Sequence, residues 1–375
     1  MWPKHPDDVV MEAYNRHGSY NGAAKELGVN PTSVMRRVKN IKDGKSVYSN
    51  LTNAESIQMP ETLKGRSFLR NASTGEVTME WVKTDVKFEH RMKAMETAAE
   101  AFRESITPVD PLPIPKATNN ELLNLFVLTD MHIGMLAWGE ETDNDWDSTL
   151  AERTILGFFQ EAIAQAPPAK CAVLGQLGDF LHYDSMDAVT PASKHLLDSD
   201  SRYAKLVRVA VRVIRQIIDM LAKKYEEVGV VWAAGNHDPA GSIWMREMIA
   251  ALYSNEPRVR VDCSPKPFYC VEHGKVSLFF YHGHQVKMAE LDRVMAAEFR
   301  DVFGRTRFSY AHMGHLHHRA KESSLMLVEQ HRTLASRDSY ASTHGYKAGR
   351  EANCITYHKQ YGEVGRVVVT PEMLL

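Results

Sequence analysis

Five short stretches of this sequence place carboxylate, imidazole or amide side chains directly after apolar runs. In chain order they are Asp130 and His132 in TDMHIG, Asp179 and His182 in GDFLH, Asn236, His237 and Asp238 in GNHD, His282 and His284 in HGH, and His315 and His317 in GHLH. Each preceding apolar run has the length of a buried strand. Because sites in layered α/β folds form at the carboxyl ends of strands, we expect these groups to converge.

The residue types indicate the chemistry. Carboxylates, imidazoles and an amide oxygen suit borderline divalent cations, and no cysteine occurs in the five stretches. One carboxylate can bridge two ions about 3.5–4 Å apart, and such a pair can activate water for an in-line displacement at phosphorus. A single Gly-Asp after a strand is more often a turn or a helix cap. Five such stretches in one chain favour a two-metal site, with Asp179 as the predicted bridging ligand.

In this order, the blocks D-x-H, GD, GNH[DE], HG[HD] and G-H-x-H resemble the calcineurin-like metallophosphoesterase superfamily, over roughly residues 121–320. The resemblance implies two divalent ions, most often manganese, with iron, zinc or magnesium as other candidates. It implies the following ligands: Asp130, His132, Asp179 and His317 for the first ion, and Asp179, Asn236, His282 and His315 for the second.

The resemblance also implies roles for residues beside the metals. His237 would stabilise the transition state or protonate the leaving oxygen, and Asp238 would orient His237. His282 is chosen over His284 because the superfamily uses the first histidine of the HG motif.

His182 points to a particular substrate. GDFLH is similar to the corresponding block of SbcD-type DNA repair nucleases, in which that histidine lies beside the substrate backbone. This resemblance favours a nuclease that processes DNA in the manner of an exonuclease. It also places His182 in the catalytic site. The competing interpretation is that His182 is simply a polar residue at the start of a loop, with no contact to a substrate.

Residues 7–42 show the apolar period of three short helices. Ser19 and Asn30 are placed to cap the second and third helices, and Pro31 occupies the first turn of the third. The tight turn at Gly28 makes the arrangement similar to a helix-turn-helix, as in resolvases and nucleoid proteins. We therefore predict a DNA-binding unit over residues 1–48.

The third helix of this unit carries a local excess of positive charge. The basic residues are Arg36, Arg37, Lys39, Lys42 and Lys45, against the single acid Asp43. Such residues contact phosphates, whereas the first turn of a recognition helix reads base edges, which makes Thr32, Ser33 and Arg36 the predicted readers. The alternative is a solvated basic face without a nucleic-acid partner.

The segment 49–120 connects this unit to the predicted catalytic domain, 121–375. It contains a predicted hairpin at 65–84, a predicted helix at 86–104 and a proline-rich break at 107–120, where we place the domain boundary. The apolar seam of the helix fits docking on a neighbouring domain, or self-association into a homo-oligomer.

Beyond residue 121, five strand-like runs alternate with helical stretches such as 148–164 and 203–225, and a hairpin is predicted within 350–370. Strands without polar alternation, interleaved with helices, indicate a sheet covered on both faces. The predicted fold is α/β, a layered β-sandwich flanked by helices with a small all-α N-terminal domain. This layout looks like that of proteins encoded by tailed phages.

Composition limits the classes of function. A chain of 375 residues exceeds a single core, and a net charge of −2 with a pI near 6.8 restricts nucleic-acid contacts to a local patch. Four scattered cysteines indicate free thiols in a reducing compartment. No apolar stretch reaches the ~18 residues of a membrane span, and the first residues do not resemble a signal peptide. We therefore expect a cytoplasmic protein.

Two segments lie outside the recognised blocks. The long connection between Asp179 and Asn236 is predicted to hold two helical stretches. The segment 331–350 either lines a substrate groove or covers the sheet edge, and its candidate residues are Arg337, Tyr340, Tyr346 and Arg350.

Two rival functions stay open at this stage. One is a phosphatase or nucleotide phosphodiesterase whose helix-turn-helix docks a partner. The other is a non-catalytic DNA-binding regulator with a structural metal site, against which His237 and Asp238 argue. Dependence on an ATPase partner is also left open.

Overall fold

The computed structural model describes residues 7–43, 63–70, 77–84, 93, 108–115, 118–318, 320–323 and 325–374. Two compact units are present, Met1–Asp85 and Val86–Leu375. Apart from Lys93, the predicted helix at 86–104 lies outside the described residues. Among the described helices, none combines the length and apolar character required to cross a bilayer.

The first unit contains the three predicted helices, α1 (Asp7–His17), α2 (Tyr20–Leu27) and α3 (Pro31–Lys42). The predicted caps are confirmed, because Ser19 Oγ accepts from the Gly22 N–H and Asn30 Oδ1 accepts from the Thr32 N–H. The helices enclose a small core of Val10, Ala13, Ala23, Ala24, Leu27, Val34 and Val38.

The predicted hairpin is also confirmed. Strands β1 (Leu63–Arg70) and β2 (Val77–Thr84) pair antiparallel, and the residues of its turn lie outside the described part.

The second unit contains both strands and helices. Its described strands are β3 (Asn119–Leu128), β4 (Ala169–Gln176), β5 (Glu227–Trp232), β6 (Val259–Val261), β7 (Tyr269–His273), β8 (Val276–Phe280), β9 (Phe308–Met313), β10 (Ala320–Ser323), β11 (Leu327–Gln330), β12 (Ala352–His358) and β13 (Gly362–Val369). Its described helices are α4 (Gly139–Thr142), α5 (Ser148–Gln165), α6 (Tyr203–Lys224), α7 (Pro239–Leu252), α8 (Met288–Glu298), α9 (Arg300–Arg305), α10 (Ser339–Thr343) and a final 3₁₀ turn (Pro371–Leu374).

The strands form two sheets that pack face to face. One sheet has the order β13-β12-β3-β4-β5-β6, with β3 to β6 parallel, and the other has the order β10-β11-β9-β8-β7. Along β3, Leu125 and Val127 pack into the layer between the sheets, whereas Phe126 and Leu128 pack among residues of helices α5 to α7. Helices α8 and α9 contribute to the core on the outer face of the second sheet. The predicted layered sandwich with flanking helices is confirmed.

The connection between Asp179 and Asn236 differs from the prediction. It holds one helix, α6, rather than two, and residues 184–202 form turns and bends. The apolar period needed for a helix begins only at Tyr203, and the preceding loop is held by polar contacts, such as the Ser148 N–H donated to Asp200.

The proline-rich segment is not an open linker in its described part, residues 108–115. The Val109 N–H donates to the Leu252 carbonyl oxygen (2.8 Å), and Arg258 donates to the Leu112 carbonyl oxygen (3.0 Å). These contacts attach the segment to the second unit, Val86–Leu375.

Candidate active site

The loops that follow the strands of both sheets meet at one edge of the sandwich, as predicted. The Asp130 N–H donates to the Gly178 carbonyl oxygen (3.0 Å), and the Gly314 N–H donates to the His282 carbonyl oxygen (2.8 Å). The His315 N–H donates to Asp130 Oδ2 (2.9 Å), which joins a loop of the second sheet to a loop of the first.

A first ligand cluster is formed by Asp130, His132 and His317. One ligand atom from each lies within 4.8 Å of the others. His317 Nε2 is 3.2 Å from Asp130 Oδ1, and Asp130 is completely buried. Burial alone raises the pKa of Asp130, but the neighbouring His317 outweighs it and holds the pKa below its usual range. The carboxylate is therefore ionised and suited to a cation.

A second cluster is formed by Asp179, His282 and His315, again with ligand atoms within 4.8 Å. His282 Nε2 is 3.2 Å from Asp179 Oδ2 and 3.0 Å from Asn236 Oδ1, so Asn236 belongs to the same group. Each cluster thus takes ligands from both sheets.

The hydrogen bonds of His282 test whether a cation fits this second cluster. His282 Nδ1 is 2.7 Å from the Leu177 carbonyl oxygen, which can only accept, so Nδ1 carries a hydrogen. Nε2 then faces two oxygen acceptors, Asp179 Oδ2 and Asn236 Oδ1. A positive charge, carried by a ring proton or by a cation, is needed between Nε2 and these oxygens. Burial lowers the pKa of His282, but Asp179 more than compensates and raises it to about 9 without metal. A divalent ion would take the place of that proton, and a histidine held through Nδ1–H is the usual arrangement around a metal.

Two further imidazoles of the clusters also fit a metal. Burial lowers the pKa of His132 and, to a smaller extent, of His315, which favours the neutral ring that coordinates cations.

Backbone strain concentrates at the site. Seven non-glycine residues of the described chain have positive φ, and five of them are predicted ligands. These five are Asp130 (52°), His132 (45°), Asp179 (52°), His315 (76°) and His317 (55°). Such conformations cost about 1–3 kcal/mol each and persist where the surroundings enforce them. The strained backbone of these loops therefore orients the predicted ligand side chains, at a cost in conformational energy that a simple connection between strands would not carry.

Two glycines allow the loops to approach each other. A Cβ atom at Gly235 would overlap the carboxylate and main-chain nitrogen of Asp179, and one at Gly314 would overlap the Thr129 hydroxyl and the Asp130 carboxylate. The motifs GNHD and GHLH therefore require glycine at these positions.

His237 lies beside both clusters. Its main-chain N–H donates to Asp179 Oδ1 (2.8 Å), and its ring centroid is 4.7 Å from that of His132. Its Nδ1 is 2.8 Å from the His182 carbonyl oxygen and therefore carries a hydrogen. Nε2 is thus the ring atom able to exchange a proton with a substrate.

Asp238 does not have the predicted role of orienting His237. Its Oδ2 accepts from the Leu181 N–H (3.0 Å), and its Oδ1 accepts from the Gly235 N–H (3.2 Å) and the Ser242 hydroxyl (3.3 Å). Burial and the neighbouring Asp179 raise the pKa of Asp238 to about 7. Asp238 joins the loop after β4 to the loop after β5, and the His182 carbonyl orients His237 instead.

His182 is buried beside His132. Its side chain is only 1% exposed, and its Nδ1 lies 3.3 Å from His132 Nδ1. Burial and the neighbouring His237 lower its pKa to about 3. The buried ring also stacks on that of His237, with centroids 5.5 Å apart, and a catalytic role for His182 stays a prediction.

His284 lies outside both clusters, and its ring stacks on Tyr281 with centroids 5.9 Å apart. The choice of His282 as the member of the second cluster therefore agrees with the geometry.

Three polar residues that support the site were not predicted. Thr129 Oγ1 donates to Asp130 Oδ2 (2.5 Å), and Thr333 Oγ1 donates to the Asp130 carbonyl oxygen (2.7 Å). Gln176 pairs with both the N–H and the carbonyl of Gly178 (3.0 Å each). Thr129 and Gln176 adjoin the ligand motifs in sequence, which is a usable signal, whereas Thr333 lies far from Asp130 along the chain.

The predicted DNA-binding residues lie on the outer side of α3. Val34 and Val38 are buried, whereas Thr32, Ser33, Arg36, Lys39 and Lys42 are exposed and Arg37 is half-buried. Lys42 Nζ lies 4.8 Å from the centre of the Tyr14 ring.

Two of the three arginines in the segment 331–350, Arg337 and Arg350, hold its fold. Arg337 Nε donates to the Thr142 carbonyl oxygen (3.0 Å), and Arg350 Nε donates to the Leu334 carbonyl oxygen (2.9 Å). The Arg350 guanidinium also lies 5.3 Å from the Trp146 ring centre. Tyr340 and Tyr346, by contrast, are exposed.

A third buried polar group lies between the sheets, formed by His312, Glu329 and His331. Both Glu329 oxygens accept from Arg366 at 2.7 Å, and His312 Nδ1 is 2.9 Å from His331 Nε2. The bidentate guanidinium occupies the carboxylate and repels a cation, so this group is an ion-paired network.

No family profile matches this chain, and no curated protein matches it. Among solved structures, a predicted phosphoesterase from Streptococcus pneumoniae is similar at 10% identity, with a TM-score of 0.29 over 67% of this chain and 91% of that one. A dimetal phosphatase from Danio rerio is similar at 8% identity, with a TM-score of 0.34 over 66% of this chain and 98% of that one. A 5'-nucleotidase from Candida albicans is similar at 12% identity, with a TM-score of 0.33 over 71% of this chain and 54% of that one.

Proposed function

We propose that this chain is a two-metal phosphoesterase of the calcineurin-like type. The observation that carries the proposal is the meeting of two ligand clusters across the two sheets, with His237 beside both. Oxygen and nitrogen ligands without thiolate suit manganese, iron or zinc. When bound, the ions supply Lewis-acid stabilisation of the phosphoryl oxygens and activate water.

The side chains of the chain itself have distinct tasks in this reaction. Asp179 and Asp130 provide the negative charge that holds the cations. His237, fixed through Nδ1 by the His182 carbonyl, presents Nε2 to the substrate. Nε2 either donates to a phosphoryl oxygen in the transition state or transfers a proton to the leaving oxygen. Asp238 keeps the loops that carry Asp179 and Asn236 at a fixed separation.

DNA is the proposed substrate, which makes the enzyme a nuclease. The exposed basic face of α3 supports this proposal, because Arg36 and Lys39 lie opposite the buried Val34 and Val38. The unit 1–48 would then bring the enzyme to its substrate.

A small phosphoester is the second candidate substrate. The loops that continue from the ligand motifs carry exposed acids, namely Glu140, Glu141, Asp187 and Asp198. Their charge opposes the approach of a long polyanion more than that of a small ester.

One assay separates these substrates. The protein is stripped with a chelator, reloaded with manganese, and offered linear duplex DNA, single-stranded DNA, nitrophenyl phosphates and cyclic nucleotides in parallel. Metal-dependent DNA cleavage supports the nuclease. Hydrolysis of the small esters alone would reject the nuclease and keep the phosphoesterase, and no hydrolysis of any ester would reject both.

The role of α3 is tested by salt dependence. Replacing Arg36 and Lys39 together by alanine should reduce the slope of log Kd against log salt by about 2. Lys25→Ala, on the exposed face of α2, is the matched control and should change the slope less. An unchanged slope in the double variant would remove α3 from the interface.

A further inference from the structure

Three aromatic rings of the segment 331–350 form an exposed stack. The Tyr340 and His344 ring centroids are 4.1 Å apart, and those of His344 and Tyr346 are 5.7 Å apart with planes at 24°. Tyr340 is 63% exposed and Tyr346 is 61% exposed. We call these three residues the aromatic stack. Rings buried in a core are expected, but three stacked rings in solvent call for another explanation.

The backbone beneath the aromatic stack is firmly held. Asp338 caps α10 by accepting from the Ala341 N–H (2.8 Å). Ser339 Oγ donates to Asp198 Oδ2 (3.0 Å), and Ser342 Oγ donates to the Glu141 carbonyl oxygen (2.7 Å). The helix is therefore fixed to both loops that continue from the ligand motifs.

The segment that carries the aromatic stack starts at the metal-ligand edge of the sandwich. It leaves β11 and passes Thr333, whose hydroxyl donates to the Asp130 carbonyl oxygen (2.7 Å). The aromatic stack therefore follows in the chain a few residues after Thr333, which contacts Asp130 of the first ligand cluster.

We propose that the aromatic stack binds an unpaired base of a DNA strand whose phosphate lies at the two ligand clusters. This inference rests on the proposed nuclease function. Aromatic rings bind bases through their faces, and every base offers a face once it is unstacked. A base inside a duplex has both faces covered, so the stack favours single-stranded DNA. Lys347, which follows Tyr346, is paired with Asp143 (Nζ to Oδ2, 3.2 Å), so the binding proposed here depends on the rings rather than on charge.

The test compares two fluorescein-labelled strands of equal length, an oligothymidylate and a strand in which every base is replaced by an abasic site. Affinities for the full chain are measured in EDTA, so that neither strand is cut. Contacts to phosphates, including those of α3, are common to both strands and cancel in the ratio of the two Kd values. We expect the intact protein to prefer the thymidylate strand by about fivefold or more.

Variants assign that preference to the aromatic stack. Tyr340→Leu and Tyr346→Leu should each lower the ratio toward 1, whereas Tyr340→Phe should retain it because the ring remains. Tyr361→Leu is the matched control. Tyr361 is 69% exposed and stacks on His358, which pairs with Leu122 near the start of β3, the end remote from the ligand clusters.

The outcomes distinguish this inference from the proposed function. A ratio near 1 for the intact protein, a ratio kept by both stack leucine variants, or an equal loss in Tyr361→Leu would overturn the role of the aromatic stack. None of these results depends on catalysis. Failure of the intact protein to hydrolyse DNA with manganese would instead reject the nuclease function, whatever the binding ratio.

Discussion

Replacing Asp238 by asparagine should destabilise the second unit and leave turnover nearly unchanged. In its ionised form, which prevails above its pKa of about 7, Asp238 accepts hydrogen bonds through both oxygens from main-chain N–H groups, one on Leu181 and one on Gly235. Asparagine has a single acceptor oxygen, so its NH₂ group must face one of these N–H groups. The Ser242 hydroxyl can reverse and accept from that NH₂ group, but the main-chain donor cannot.

The size of the effect follows from counting unsatisfied groups. One buried N–H without a partner costs about 1–3 kcal/mol, which is the expected loss in Asp238→Asn. Asp238→Ala leaves both N–H groups unsatisfied and should lose about 2–6 kcal/mol. Because the His182 carbonyl orients His237, we expect kcat of Asp238→Asn to stay within about tenfold of that of the unmodified chain.

Denaturant unfolding followed by tryptophan fluorescence measures the loss, since Trp146 and Trp232 are buried in the second unit. Metal-dependent hydrolysis of a nitrophenyl ester measures kcat in the same preparations. A fall in kcat of more than about 10²-fold in Asp238→Asn, with an unchanged free energy of unfolding, would refute the bracing role and restore the orienting one.

Four further outcomes are expected. Asp179→Asn should lose bound metal, measured by elemental analysis, together with activity; full metal occupancy would contradict its place in the second cluster. His237→Ala should keep its metal but lose at least about 10²-fold in turnover, and unchanged turnover would remove it from the reaction. Gly235→Ala should lower metal affinity, measured by chelator competition, because the added methyl displaces the Asp179 carboxylate. Unchanged affinity would show that the loop after β5 can move to accommodate the methyl group. Burial opposes ionisation of Glu329, but Arg366 outweighs it and lowers the pKa to about 2, so the pair stabilises the fold above about pH 4 and progressively less below it. The stability gap between the intact chain and Glu329→Gln, on the order of 3 kcal/mol at neutral pH, should therefore narrow as the pH falls from 4 to 2, and a constant gap would contradict the pairing.

The position of the site was predictable because it depends on where strands end. Buried parallel strands are long apolar runs, and the residues that follow them must emerge at a common edge. The same local logic applies to the first unit, where Ser19 and Asn30 cap helices through bonds to residues two or three positions away. Short-range chemistry of this kind can be derived from sequence.

What could not be predicted depends on contacts between distant parts of the chain. The roles of Asp238 and His182 are determined by which loop lies opposite them, and Thr333 reaches Asp130 only after β11 has joined the second sheet. Strands β6, β10 and β11 span three or four residues each, too few to show a period. The chain between β4 and α6 has polar composition in the sequence but is ordered by tertiary hydrogen bonds such as that of Ser148 to Asp200.

Each ligand cluster takes side chains from both sheets. Binding of cations to the clusters and the stability of the fold are therefore thermodynamically linked. A cation present at a hundred times its dissociation constant would add about 2.7 kcal/mol to the free energy of unfolding at each site. A sliding of one sheet across the other would pull Asp130 from His317 and Asp179 from His282 in the same movement. The ions would then hold the two sheets together as well as take part in the reaction. Removing them with a chelator should lower the melting temperature of the second unit.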